Sequence, residues 1–281
     1  MIFYDKVAIL GAGLLGGSLA KALKERSLAR RVSVWSRSES TRAKCAAMPE
    51  VFDEVCGSPS EAVKNADIVV LCTPTQNIPV LAREICAAVK SGAVITDVGS
   101  VKAKICAECG KIYGGGNADF VGSHPMAGSE KIGVDYADAQ LFENRPCFVA
   151  SSSAAAEKIS AMWRAVGMRV YCVSPEEHDA IVARVSHLPH LLAGTLCLVS
   201  AAYKTDLRPF SGPGFRDTTR VASGSPDIWD SIVADNKDEI LAAVKDCANS
   251  LNALVENLEN ADFAAVARRL RDAKKFRDGL V

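Results

Sequence analysis

Two short segments carry residue types able to act on a small molecule: Gly11-Ala-Gly13-Leu14-Leu15-Gly16 and His124-Pro-Met-Ala-Gly128. The first has the G-x-G-x-x-G spacing that lets a chain turn sharply and bring its backbone against an anion. Gly11 is expected to make the turn, Gly13 to admit a dinucleotide pyrophosphate, and Gly16 to pack helix on strand. Leu14 and Leu15 then open a helix whose N-terminal N–H groups meet the phosphates. A second pair, Ser36-Arg37, ends the next apolar run. An NAD-binding chain usually carries Asp or Glu there for the ribose 2′-hydroxyl. A hydroxyl beside a guanidinium suits a 2′-phosphate instead, so NADP is the expected cofactor, with NAD possible. The competing reading has Arg37 merely stacked on the adenine. Thr73, ahead of Pro74, is expected to line the cofactor crevice. His124 offers an imidazole with a free pKa of about 6.5, able to accept a proton at neutral pH. It is one of four histidines, with His178, His187 and His190.

These residues need a scaffold, and the hydrophobic pattern outlines one. Apolar β-like runs occur at 6–10, 31–35, 67–72, 93–96, 119–122, 147–150 and 168–173, with helical patterns between the early ones. Strand and helix alternating in this way predict an α/β unit with a mostly parallel sheet. The glycine segment follows the first run directly, and His124 follows the fifth. Both then fall at carboxyl ends of strands, where the ligand crevice of an open α/β sheet lies. His124 is read as a loop residue, with Pro125 fixing the turn. Beyond Pro175 the pattern becomes helical. A helix is expected from Glu176 to Ala202, and a loop at Gly212–Arg216. A long helix follows from Asp227, as cap, to about Asn260, then a last one to Phe276. The division is placed at 1–173 and 174–281. His178 reads as a helix-start residue, and His190 as a packing histidine.

Composition narrows the function classes. The 281 residues balance 33 Lys plus Arg against 33 Asp plus Glu. A neutral chain argues against nucleic-acid binding by phosphate neutralisation and against a polybasic membrane surface. By this reading no apolar run reaches the length of a bilayer span, and no secretory signal is visible at the start. A cytoplasmic enzyme is expected. The 10 cysteines are scattered and read as reduced, buried small hydrophobes. Cys106 and Cys109 form a lone C-x-x-C without the second pair a zinc ribbon needs, so no metal site is expected. Both are read as lying on a helix over the sheet.

Further segments follow in order: Thr96-Asp-Val-Gly-Ser-Val-Lys102, Gly122-Ser-His-Pro-Met-Ala-Gly128, Ser186-His-Leu-Pro-His190 and Gly214-Phe-Arg-Asp-Thr-Thr-Arg220. With Gly11–Ser18 before them, the chain resembles the prephenate/arogenate dehydrogenase family of tyrosine biosynthesis. The resemblance covers nearly the whole chain. It implies a Rossmann-type domain followed by an all-helical domain that forms a homodimer. It also implies oxidative decarboxylation of a cyclohexadienol: prephenate to 4-hydroxyphenylpyruvate, or arogenate to tyrosine. His124 matches the family's catalytic histidine. Ser100 matches a serine near the substrate hydroxyl, with capping of a helix from Val101 as its other reading. Arg220 matches the arginine that binds the side-chain carboxylate, with Arg216 as the alternative or a loop tether paired with Asp217. His187 matches a position expected to face the substrate.

Two other readings compete. One is a different two-domain Rossmann reductase, like a pyrroline-carboxylate reductase or a 3-hydroxyacid dehydrogenase. The other is a non-catalytic NADP-sensing module. The His-Pro-Met-Ala-Gly and Phe-Arg-Asp-Thr-Thr-Arg segments do not suit the first. The joint presence of His124, Ser100 and Arg220 argues against the second.

Overall fold

The structure is a computed structural model that describes residues 4–128 and 131–280, without the side chain of Asp227. Its first half alternates β1 (Tyr4–Leu10), α1 (Leu14–Glu25), β2 (Ala29–Trp35), α2 (Glu39–Ala46), β3 (Glu54–Val55) and α3 (Pro59–Ala62). Then come β4 (Ile68–Leu71), α4 (Ile78–Ile85), β5 (Val94–Asp97), α5 (Ala103–Tyr113) and β6 (Asp119–Val121). These six strands form one sheet in the order β3-β2-β1-β4-β5-β6. Every pairing in it is parallel. The order reverses between β1 and β4, which opens a crevice at the carboxyl ends of those two strands.

Alternation within the strands explains the two cores. Val7 and Ile9 of β1 face one side with Val32, Val34, Ile68 and Val70. Ala8 and Leu10 face the other with Val69, Leu71 and Ile95. Each face is covered by helices, so the central strands are apolar throughout. The cysteines are all free, but burial is not general to them: Cys86 and Cys172 are exposed.

Two later strand candidates do not join this sheet. β7 (Ser123–Pro125), β8 (Pro146–Val149) and β9 (Arg169–Cys172) make a separate three-stranded sheet, with α6 (Ala154–Ala165) between β8 and β9. β7 runs antiparallel to β8, and β8 parallel to β9. The chain leaves the large sheet at Gly122, where a Cβ would come within 2.5 Å of Cys106 Sγ. His124 is therefore inside a strand, paired with Phe148, and is not a loop residue.

The second half is helical. α7 (Pro175–Val182) passes through a π-helical turn at 183–187 into α8 (Leu188–Ala201). α9 (Pro213–Thr219), α10 (Pro226–Asp235), α11 (Lys237–Glu259) and α12 (Phe263–Asp278) follow. Three expectations need correction. Gly212–Arg216 is no loop: Pro213 is pre-set for a first helical turn, and α9 grows from it. The long helix is broken at Asn236, whose buried side chain bonds elsewhere and whose backbone leaves helical geometry. Its expected cap, Asp227, has its side chain outside the described residues, and Ser225 takes the N-cap position. Finally, the run Pro175–Ala201 spans 27 residues and is apolar enough, by length and composition, to cross a membrane. Its residues Asp179, Ala183 and His187 are buried within this chain, whereas Leu196, Leu198 and Val199 are exposed.

Candidate active site

The glycine turn is shaped for an anion. Gly11 has φ +114°, and a Cβ there would lie 2.3 Å from the carbonyl oxygen of Cys72. Gly13 faces open space, with nothing within 4 Å of where a Cβ would stand. It also occupies the N-cap of α1 without a side-chain cap, and no acidic residue sits in the first turn. The N–H groups of Leu14, Leu15 and Gly16 are thus left to a ligand, with the positive end of the helix dipole behind them. Thr73 abuts Gly11 and carries a buried hydroxyl with no hydrogen-bond partner among the described residues. An open backbone cradle beside an orphaned hydroxyl fits a dinucleotide diphosphate.

The adenosine end is outlined by the turn after β2. Arg42 Nη1 donates to the carbonyls of Ser36 (2.7 Å) and Arg37 (3.1 Å). Ser38 caps α2 by accepting from Thr41 N. The turn is therefore fixed from below, while the Arg37 side chain is exposed and unpaired among the described residues.

His124 is held through the residue before it, Ser123. Ser123 N donates to Asp97 Oδ1 (3.1 Å), and Ser123 Oγ donates to Asp97 O (2.6 Å). Trp163 Nε1 donates to the same hydroxyl at 3.0 Å. Asp97 and Lys102 form an ion pair, both fully buried, and Lys102 Nζ also donates to Ser123 O. His124 is 8% exposed as a residue, and its Nδ1 lies 2.8 Å from His178 Nε2. His178 Nδ1 lies 2.7 Å from Asp179 Oδ1. Phe148, cross-strand from His124, packs edge-on against His178, with ring centroids 5.1 Å apart. Burial holds the His124 imidazole well below its ordinary pKa, and His178, Lys102 and His187 add to the effect. Burial also lowers His178, only partly offset by its bond to Asp179. Burial alone would raise Asp179, but hydrogen bonds from His178 and from the N–H groups of Ala103 and Lys102 outweigh it and keep the carboxylate ionised.

The remaining expected residues are spread more widely. Ser100 is half-buried just ahead of α5, and its hydroxyl has no partner among the described residues. It does not cap that helix, which begins at Ala103; the Asp179 carboxylate does so from the helical half, accepting from Lys102 N and Ala103 N. His187 is buried, and its Nδ1 accepts from Asn236 Nδ2 (3.2 Å) while its Nε2 has no partner among the described residues. Burial pushes its pKa down to about 4. His190 stacks on Trp229 with centroids 3.6 Å apart. Arg216 is exposed and tied by Nε to Ser211 O (3.1 Å), with no pairing to Asp217 among the described residues. Arg220 is exposed and unpaired among the described residues.

Residues 19–172 match the family profile described as "Prephenate dehydrogenase, nucleotide-binding domain", and residues 174–272 match its "dimerization domain". The chain belongs to the prephenate dehydrogenase family. A prephenate dehydrogenase of Bacillus subtilis is 33% identical over 98% of this chain and 76% of its own length. The crystal structure of prephenate dehydrogenase from A. aeolicus, in complex with hydroxyphenyl propionate and NAD+, is 30% identical and superposes with TM-score 0.90, covering 97% of each chain. The arogenate dehydrogenase of Synechocystis is 29% identical with TM-score 0.85, over 98% of this chain and 100% of the other. Membership excludes the other Rossmann reductases as the family of this chain.

Several residues around His124 in this family member carry little signal in the sequence. His178 reads there as a helix-start residue. It does lie in the first turn of α7, but its ring is committed to His124. Asp179 gives no sign of its bonds to a helix 77 residues away in sequence. Asp97 and Lys102 stand within a quoted motif, yet their pairing is visible only once β5 and α5 are placed. Asn236 gives a weak signal: an amide side chain competes with the backbone for hydrogen bonds and is a poor helix-interior residue.

Proposed function

We propose that the chain catalyses nicotinamide-dependent oxidative decarboxylation of a cyclohexadienol, prephenate or arogenate, with His124 as base. One observation supports this most: a neutral imidazole stands at the carboxyl edge of a dinucleotide-type sheet, with one nitrogen committed to His178 and the other without a partner among the described residues. That nitrogen takes the proton of the ring hydroxyl as the carbon–hydrogen pair leaves as hydride. Bound nicotinamide supplies the acceptor for that hydride. The bond to the ring carboxylate then breaks, its electrons aromatise the ring, and the oxygen recovers its proton. Ser100 is placed beside the hydroxyl. Arg220, exposed and unpaired among the described residues, is the ligand for the side-chain carboxylate, where two parallel bonds give orientation as well as energy. Arg216 tethers the loop. The orphaned His187 Nε2–H supports its assignment to the substrate. Mixing the protein with each substrate and an oxidised cofactor, and following absorbance of the reduced form, tests the reading. Turnover of neither substrate defeats it, and the faster one names the physiological reactant.

NADP is the preferred cofactor in this reading, because Arg37 is unpaired among the described residues and the turn after β2 carries Ser36 and Arg37 in place of a carboxylate. Arg37→Ala is expected to raise the KM for NADP about 10–100-fold, the value of one charge-assisted phosphate contact, with little change for NAD. Equal effects on both cofactors would leave Arg37 as an adenine stack only.

We also place the division at 1–173 and 174–281, with the second unit pairing two copies. Its own core is small, made of Ala183, Ile240 and Ala243, while Leu198, Val199, Leu251, Val255 and Leu258 are exposed. A helix apolar all round needs an apolar neighbour, and a second copy supplies it without a membrane. The cytoplasm suits the ten free thiols.

A further inference from the structure

The hydrogen bonds behind His124 form a directed chain, and its direction follows from what each atom is able to donate. Asp179 is an ionised carboxylate and accepts only, so the proton between it and His178 belongs to His178 Nδ1. His178 is held neutral by burial, so its Nε2 then carries a lone pair. That lone pair accepts from His124, so His124 must carry its hydrogen on Nδ1. In a neutral His124 the lone pair is then left on Nε2, the nitrogen needed by a base facing a ligand.

We propose that His178 and Asp179 are positioning residues of this dehydrogenase, which fix His124 in the Nδ1–H tautomer and share the positive charge when its Nε2 takes the substrate proton. The proposal rests on His124 being the base, as argued above. Its step is balanced. The substrate O–H bond breaks, an Nε2–H bond forms on His124, and the charge spreads through Nδ1–H to His178 and the Asp179 carboxylate. The proton returns to the same oxygen when the ring becomes aromatic. No proton leaves the relay, and none enters.

The surroundings make the assignment specific. The groups that face the His124–His178 pair are Lys102 from the N-terminus of α5, paired with Asp97 of β5, then Asp179 of α7 and His187 of the π-helical turn. Asp179 is the anion bonded to the pair, because Asp97 is engaged by Lys102, Gly99 N and Ser123 N. Asn236 Nδ2 donates to the Asp179 carbonyl at 2.9 Å, so the backbone beneath the carboxylate is held as well.

The test uses the full-length protein with ¹⁵N-labelled histidine. With four histidines the ring resonances are assignable by single substitutions. At neutral pH, His124 is expected to show a protonated Nδ1 and an unprotonated Nε2. The opposite tautomer overturns the proposal whether or not the protein turns over either substrate, which separates this test from that of the reaction. His178→Phe removes the acceptor. It should lower kcat about 10²–10³-fold, with the KM for substrate and cofactor within about threefold. His178→Gln puts an amide oxygen near the lost nitrogen and should recover most of that kcat. Asp179→Asn keeps an oxygen for the α5 N–H groups but loses the obligate acceptor, and should mix the His124 tautomers and lower kcat as His178→Phe does. If His178→Phe keeps kcat and lowers only thermal stability, the pair is structural and the proposal fails. If Asp179→Asn does not fold, the tautomer of the intact protein and the His178 Phe/Gln pair still decide.

Discussion

His124→Asn should lower kcat by about 10³-fold or more while cofactor binding is unchanged. General-base assistance contributes about 10²–10⁴-fold in enzymes generally. Here the base also stabilises the developing charge, so the upper half of that range applies. Asn is close in size and keeps a polar group near His178, so β7 and its ladder to β8 should survive. Cofactor titration by fluorescence and steady-state kinetics on the same preparation check both halves. A variant within tenfold of the parent kcat would remove His124 from the chemistry. A pH profile adds a second reading. A base acts unprotonated, so activity is lost as pH falls through its pKa. Burial, with His178, Lys102 and His187 nearby, holds that pKa well below 6.5. The acid limb of kcat/KM should therefore lie below the ordinary histidine range and vanish in the Asn variant.

Lys102→Met should destabilise the protein by about 3–5 kcal/mol, because it leaves the Asp97 carboxylate charged and buried without its cation. Two N–H donors, from Gly99 and Ser123, would remain to Asp97. They satisfy lone pairs but supply no full charge. Pairing the change with Asp97→Asn should recover part of the loss, since removing both charges avoids the unpaired one. Chemical denaturation of the single and double variants gives the numbers. A single variant within about 1 kcal/mol of the parent, by the same denaturation, would show that Asp97 finds other compensation. The loss bears on function because Lys102 Nζ also bonds the carbonyl of Ser123, the residue before the base.

The large sheet is readable in the sequence because parallel, two-sided burial writes itself as uninterrupted apolar runs such as Ile68–Leu71. The glycine turn is readable too, since Gly11 and Gly13 answer to backbone geometry alone. Reading stops where the structure depends on contacts between distant segments. The runs at 147–150 and 168–173 are recognisable as strands, but nothing local says that they pair with Ser123–Pro125 rather than with β6. Asn236 and the π-helical turn before Leu188 likewise reflect packing between helices, which no periodicity records. The histidines illustrate both cases. His124 is legible through its position after a strand. His178 is not, because its importance lies in a ring 54 residues away in sequence.

Each oxygen of Asp179 is engaged among the described residues. One takes His178 Nδ1–H and Lys102 N–H, and the other takes Ala103 N–H. The line of hydrogen bonds behind His124 is accordingly a blind alley, closed by the start of a helix. An enzyme that had to discard a proton in each cycle would be stalled by such an ending. The proposed reaction discards none: a hydride and carbon dioxide leave, and the borrowed proton goes back to the oxygen it came from. A closed end then serves the chemistry, since a charge that is unable to escape stays within reach of the atom that must reclaim it.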